Sequence, residues 1–66
     1  MATKPFAAMV RQQDGLVTVT GEWQGHKAWY RLRLHAAKLP LLQRMTTMDK
    51  TFDLTELGEV VDSGWL

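Results

Sequence analysis

The stretch that decides the fold is residues 16–35, which read LVTVTGEW, then QG, then HKAWYRLRLH. Apolar and polar residues alternate on both sides of Gln24-Gly25, as they do in two half-buried strands joined by a tight turn. A two-residue turn there places Val19 opposite Tyr30, and directly opposed side chains share a face of the sheet. The stretch therefore predicts an antiparallel hairpin with one apolar face.

A second turn signal lies upstream at Asp14-Gly15, a dipeptide typical of type I′ hairpin turns. A two-residue loop there pairs Gln13 with Leu16 and extends the sheet by one strand. The two turns then agree on a single apolar face, and a slip of one residue in either hairpin would destroy the agreement. The predicted apolar face, with Ala8 opposite Gly21, Val10 opposite Val19 and Phe6 opposite Trp23, also carries Val17, Ala28, Tyr30, Leu32 and Leu34.

The hydrophobic period changes after His35 to that of a helix over residues 37–48. Its apolar positions are Leu41, Leu42, Met45 and Met48, and Pro40 is tolerated there because it falls in the first turn. Two or three helical turns are not stable alone in water. We therefore expect this helix to pack on the apolar face of the sheet.

The C-terminal part contains Asp53-Leu54-Thr55-Glu56, which has the spacing of a capping box with Asp53 as the N-cap. The expected fold class is α+β: a three-stranded antiparallel β-meander with one helix on its apolar face and a short C-terminal strand whose pairing is left open. The predicted single domain, residues 1–66, contains strands at 5–13, 16–23 and 27–35, a helix at 37–48, a capped turn at 53–58 and an extended segment at 59–65.

Composition and charge restrict the classes of protein. The chain has 66 residues and no cysteine, which excludes disulfide-stapled and cysteine-ligated zinc domains. It shows neither a secretory apolar core nor a membrane-length apolar run, so we expect a cytoplasmic protein without membrane contact. Residues 23–48 carry five basic side chains and no acidic one, whereas residues 49–66 carry a net charge of −4. Either the acidic tail neutralises the basic middle, or the middle faces an anionic partner.

Residues that carry chemistry are sparse. Ser63 lacks the Gly-x-Ser-x-Gly surroundings of a nucleophile elbow, and the chain has no cysteine to replace it. His26 and His35 have opposite parity along the predicted strand, so they do not converge on a metal ion. The glycines are scattered and form no phosphate-binding loop. We expect no enzymatic activity, no cofactor, no metal and no small-molecule substrate.

One predicted surface is unusual because a large aromatic ring lies in a row of basic side chains. These alternate along the third strand on the face opposite the apolar one, and the register brings Arg11 of the first strand beside them. The candidate binding residues are Arg11, Lys27, Trp29, Arg31, Arg33 and His35.

Three interpretations of this surface compete. The C-terminal segment covers it, or it is a protein interface, since Trp and Arg are enriched at interface cores. Alternatively it binds single-stranded nucleic acid, with Trp29 stacking on a base and the Arg and Lys side chains contacting phosphates. Unpaired strand edges offer a further route to a partner, by strand addition. We expect a non-enzymatic interaction module acting by homodimerisation or by binding a larger protein, with nucleic-acid binding as the alternative.

Overall fold

The computed structural model describes residues 2–11 and 14–66, with Arg11 described by its backbone alone. The strands form one five-stranded antiparallel sheet in the order β4-β1-β2-β3-β5, and a short helix completes an α+β domain. The elements are β1 Ala2–Arg11, β2 Leu16–Trp23, β3 His26–Leu34, a 3-10 turn Ala36–Lys38, α1 Leu39–Met45, β4 Phe52–Asp53, a 3-10 turn Leu54–Glu56 and β5 Gly58–Trp65.

The predicted β2–β3 hairpin is confirmed residue by residue. Val19 lies opposite Tyr30 and Trp23 opposite His26. The turn residues Gln24 and Gly25 have φ angles of 51° and 83°. Positive φ at both central positions defines a type I′ turn, whose twist matches that of the flanking strands.

The predicted β1–β2 register is wrong by two residues. Leu16 pairs with Arg11, and Val10 lies opposite Val17 instead of Val19. Gln13, the predicted partner of Leu16, lies outside the described residues. The Asp14 carboxylate accepts a hydrogen bond from the Leu16 backbone N–H at 3.1 Å, so an Asx turn within a longer connection replaces the expected two-residue loop. A shift of two residues preserves parity, and the face assignment of this part of β1 is unchanged.

A β-bulge between Pro5 and Ala7 overturns a second expectation, that Phe6 lies on the apolar face opposite Trp23. Beyond the bulge Pro5 pairs with Gly21, and the Phe6 side chain is 46% exposed. Next to the bulge, the side chain of buried Thr3 occupies the space where Gly21 lacks a Cβ atom, and a Cβ there would come within 3.1 Å of Thr3 Cγ2. Because of this extra residue, the residues of β1 that face inward are odd-numbered before the bulge and even-numbered after it.

The core fills the inner face of the sheet. Leu42 and Met45 of α1 are buried as predicted, but the α-helix ends at Met45, short of residue 48, and Met48 is 40% exposed. Two leucines of the C-terminal part, not foreseen as core residues, are fully buried. The buried apolar residues are Val17, Val19, Ala28, Tyr30, Leu32, Leu42, Met45, Leu54 and Leu57.

The C-terminal part corrects the predicted three-stranded sheet. β4 pairs with the start of β1, and β5 pairs with β3 along its length. Asp53 is the predicted N-cap: its carboxylate accepts hydrogen bonds from the Thr55 hydroxyl at 2.7 Å and the Thr55 N–H at 3.0 Å. The bond from the Thr55 hydroxyl is the largest of the causes that lower the pKa of Asp53 to about 2. The backbone N–H of His35 then donates to Leu57 O at 3.2 Å and leads β5 alongside β3.

The sheet is curled. Ala2, beside one edge of the sheet, and Trp65, on the opposite edge strand, line the same cavity. Across residues 2–11 and 14–66, no helix has the length and apolar character needed to traverse a membrane.

Candidate protein-interaction surfaces

Trp29 lies at the centre of the outer face of the sheet, where its alternation with Tyr30 places it. Its partner on β5 is Gly64. A Cβ atom on Gly64 would come within 2.7 to 2.8 Å of three indole atoms, so the ring lies directly over this glycine. The Trp29 side chain is therefore partly buried within its own chain, and less of its ring faces solvent than the alternation alone implied.

Arg31 lies against Trp29, with its guanidinium carbon 5.4 Å from the ring centroid, which is a cation–π contact. Its Nε is buried and has no hydrogen-bond partner among the described residues. Arg31 stands opposite Asp62 on β5, and Arg33 stands opposite Glu59. Opposite charges on neighbouring strands attract, so the acidic tail places two carboxylates beside the arginines of β3.

Lys27 lies at the other end of β3, opposite Glu22 as predicted. Its ammonium nitrogen is 5.9 Å from the centroid of the Phe6 ring. Phe6, which the sequence analysis had placed on the apolar face, is thus a neighbour of the candidate surface. The bulge that places it there is invisible in the alternation of apolar residues.

The six predicted binding residues are only partly brought together. Trp29, Arg31 and Arg33 share the outer face of β3. His35 is exposed and falls one residue beyond the end of β3. Arg11 pairs through its backbone with Leu16, and its side chain lies outside the described part of the structure.

The outer edge of β1 is a second candidate surface, defined as the run Phe6–Val10. β4 pairs with β1 at Ala2 and Thr3, and no other described strand pairs with the outer edge of β1. Every side chain of the run is exposed, Met9 by 70% and Val10 by 47%. The run contains no charged residue. An unpaired strand edge with exposed apolar side chains is a ready template for pairing with another chain.

The other edge of the sheet, β5, is built differently. It carries the charged residues Glu59 and Asp62, and a β-bulge at Val61 interrupts its register with β3. Charged side chains and bulges are the features by which edge strands resist pairing with other chains. The two edges therefore differ in kind, and the apolar one is β1.

The inner face is open at the end where β1 begins and β5 finishes. Trp65 is 69% exposed there and makes an edge-to-face contact with His26, with 5.9 Å between the ring centroids. The opening has a volume of about 350 Å³, and none of its lining residues carries a charge. The lining residues are Ala2, Ala28, Tyr30, Ser63, Gly64 and Trp65.

Within the described ranges no three His, Asp or Glu side chains are grouped in a way that holds a metal ion. No protein-family model, curated protein or solved structure matches this chain.

Proposed function

We propose that this chain is a non-enzymatic protein-interaction module whose contact element is the outer edge of β1, the run Phe6–Val10. The partner supplies an extended segment that pairs with this edge by strand addition. One strand combines the two observations that carry the proposal. Among the described strands, none pairs with this stretch of β1, and the stretch presents a continuous series of exposed apolar side chains.

Two contributions favour binding at this edge. The outward-facing backbone N–H and C=O groups of β1 gain partners in a ladder of hydrogen bonds. The exposed apolar side chains gain free energy at about 25 cal/mol for each Å² removed from water. Because successive side chains of a strand point to opposite faces, a paired strand buries Met9 on one face and Val10 on the other.

The outer face around Trp29 supports binding less well. Trp29 is already packed on Gly64 and Arg31, so a stacking base gains less ring surface. Nucleic-acid affinity depends on phosphate neutralisation and counterion release. The placement of Asp62 and Glu59 opposite Arg31 and Arg33 weakens that contribution. Nucleic-acid binding is therefore the weaker alternative.

The test is an NMR titration of dilute ¹⁵N-labelled protein with a capped peptide of residues 4–11, which has the apolar pattern of the edge itself. We expect amide shifts concentrated in the run Phe6–Val10. Ala8→Lys, which places a charge on the edge, should abolish them, whereas Ala37→Lys at another exposed alanine should not. Absence of shifts at millimolar peptide would refute the proposal. Shifts of the Trp29 indole with a thymidine oligonucleotide would favour nucleic acid instead.

A further inference from the structure

We infer that the partner of the β1 edge is a second copy of this chain, paired antiparallel about a two-fold axis at Ala8. The inference rests on the proposed function and adds the identity and register of the partner. Three observations carry it: the symmetry of the apolar run about Ala8, the positions of the charges that flank the run, and the difference between the two sheet edges.

Symmetry restricts the register. A two-fold axis perpendicular to the sheet keeps each face on its own side, so opposed residues must have the same parity in the chain. With the axis at Ala8, Ala8 meets Ala8 of the second copy and Ala7 meets Met9. Both pairs lie beyond the bulge, where opposed residues share a face, and both are apolar on apolar, the type of cross-strand pair that stabilises a sheet.

Neighbouring registers are worse. With the axis at Ala7, Arg11 would meet the outer edge of Thr3, which is already paired with Phe52 of β4. With the axis at Met9, Ala7 would meet Arg11 instead of Met9, so the run would lose an apolar pair. With the axis at Ala8 neither Arg11 nor the other flanking charge, Lys4, opposes a basic residue.

The difference between the two sheet edges also favours a closed dimer over an open chain of molecules. Pairing β1 of one copy with β5 of the next would continue without end, since each copy would keep one free edge of each kind. That pairing would set Glu59 and Asp62 beside the apolar run and would have to accommodate the bulge at Val61. Pairing β1 with β1 closes after two copies and avoids both.

The oligomeric state is measured by analytical ultracentrifugation over a concentration series of the intact chain. We expect a monomer–dimer equilibrium with a dissociation constant on the order of micromolar, because a single strand-to-strand contact buries little area. Ala8→Lys brings two ammonium groups together at the axis, so it should leave the chain monomeric and folded. Ala37→Lys, the matched control, should dimerise like the original chain.

The register is measured with single cysteines, since the chain has none of its own. Opposed Cβ atoms in antiparallel sheets lie about 4.5 to 5.5 Å apart. That spacing adjoins the range of about 3.5 to 4.5 Å that a disulfide spans. Under mild oxidation Ala8→Cys should form a disulfide dimer much faster than Ala37→Cys. A mixture of Ala7→Cys and Met9→Cys should give mainly the mixed dimer.

The outcomes separate the two proposals. A chain that stays monomeric at all concentrations, but whose β1 amides still respond to the peptide of residues 4–11, overturns the second copy and leaves the proposed function standing. Failure of both assays overturns both. A dimer unaffected by Ala8→Lys, a lack of preference for Ala8→Cys, or masses that grow beyond the dimer would each overturn the register or the symmetry inferred here.

Discussion

Leu57→Ala tests whether the C-terminal part is an integral component of the core. The Leu57 side chain is fully buried among the core residues, although the sequence analysis did not place it there. The substitution removes the equivalent of about three buried methylene groups, each contributing about 0.8 kcal/mol. Adding the cavity left behind, the free energy of unfolding should fall by about 2 to 5 kcal/mol. Domains of this size have only about 3 to 10 kcal/mol in total.

The assay is urea unfolding followed by circular dichroism. Small proteins lose about 1 to 3 kcal/mol per molar urea, so the midpoint should fall by roughly 1 to 3 M. Leu66→Ala is the matched control, because Leu66 is 72% exposed and the same atoms are removed. A loss below about 1 kcal/mol for Leu57→Ala, within the usual range of exposed substitutions, would refute the assigned core.

Three further predictions follow from the turns and contacts. Gln24→Asn should stabilise the chain by about 0.5 kcal/mol in the same urea assay, because Asn tolerates the positive φ of this turn position better than Gln; a loss of stability would contradict the type I′ assignment. Gly64→Val should displace the Trp29 indole and increase its quenching by iodide, measured after changing the other two tryptophans to Phe; unchanged quenching would contradict the packing of the ring on Gly64. Because the pKa of Asp53 is lowered to about 2 from its ordinary value of 3.8, the stability contributed by its ionised form is present above pH 3.8 and is lost as the pH falls through about 2. An NMR titration of the Asp53 carboxyl with a midpoint near 4 would contradict this.

The β2–β3 hairpin could be predicted because two local signals agreed. The alternation of apolar residues fixed the faces, and Gln24-Gly25 fixed the register. Asp14-Gly15 is a stronger turn signal, yet its register was wrong, because the Asp14 side chain caps a longer connection. Local turn chemistry thus identifies where the chain reverses more securely than it determines the loop length.

The sequence did contain a signal for the bulge at Phe6, although the alternation of apolar and polar residues does not show it. Proline within a strand and glycine on its neighbour are both associated with bulges, and here Pro5 pairs with Gly21. The presence of both in the predicted β1–β2 pair was reason to expect an interruption. Its consequence, an exposed Phe6 next to Lys27, follows only from the tertiary arrangement.

The position of β5 depends on contacts between distant parts of the chain, which turn signals do not encode. The sequence did contain one clue, the contrast between the basic residues 23–48 and the acidic residues 49–66. In the structure this contrast becomes specific pairs, such as Arg31 opposite Asp62. Whether the run Phe6–Val10 is exposed depends equally on which strands flank β1, and the sequence alone did not predict that arrangement.

The central claim is that the outer edge of β1 is open in a single chain and closes on a partner. Amide hydrogen exchange measured against protein concentration tests it most directly. At high dilution the outward-facing amides within residues 7–10 should exchange far faster than those of β3, and they should gain protection as the concentration rises. Protection equal to that of β3 at every dilution, or fast exchange at every concentration, would contradict the account.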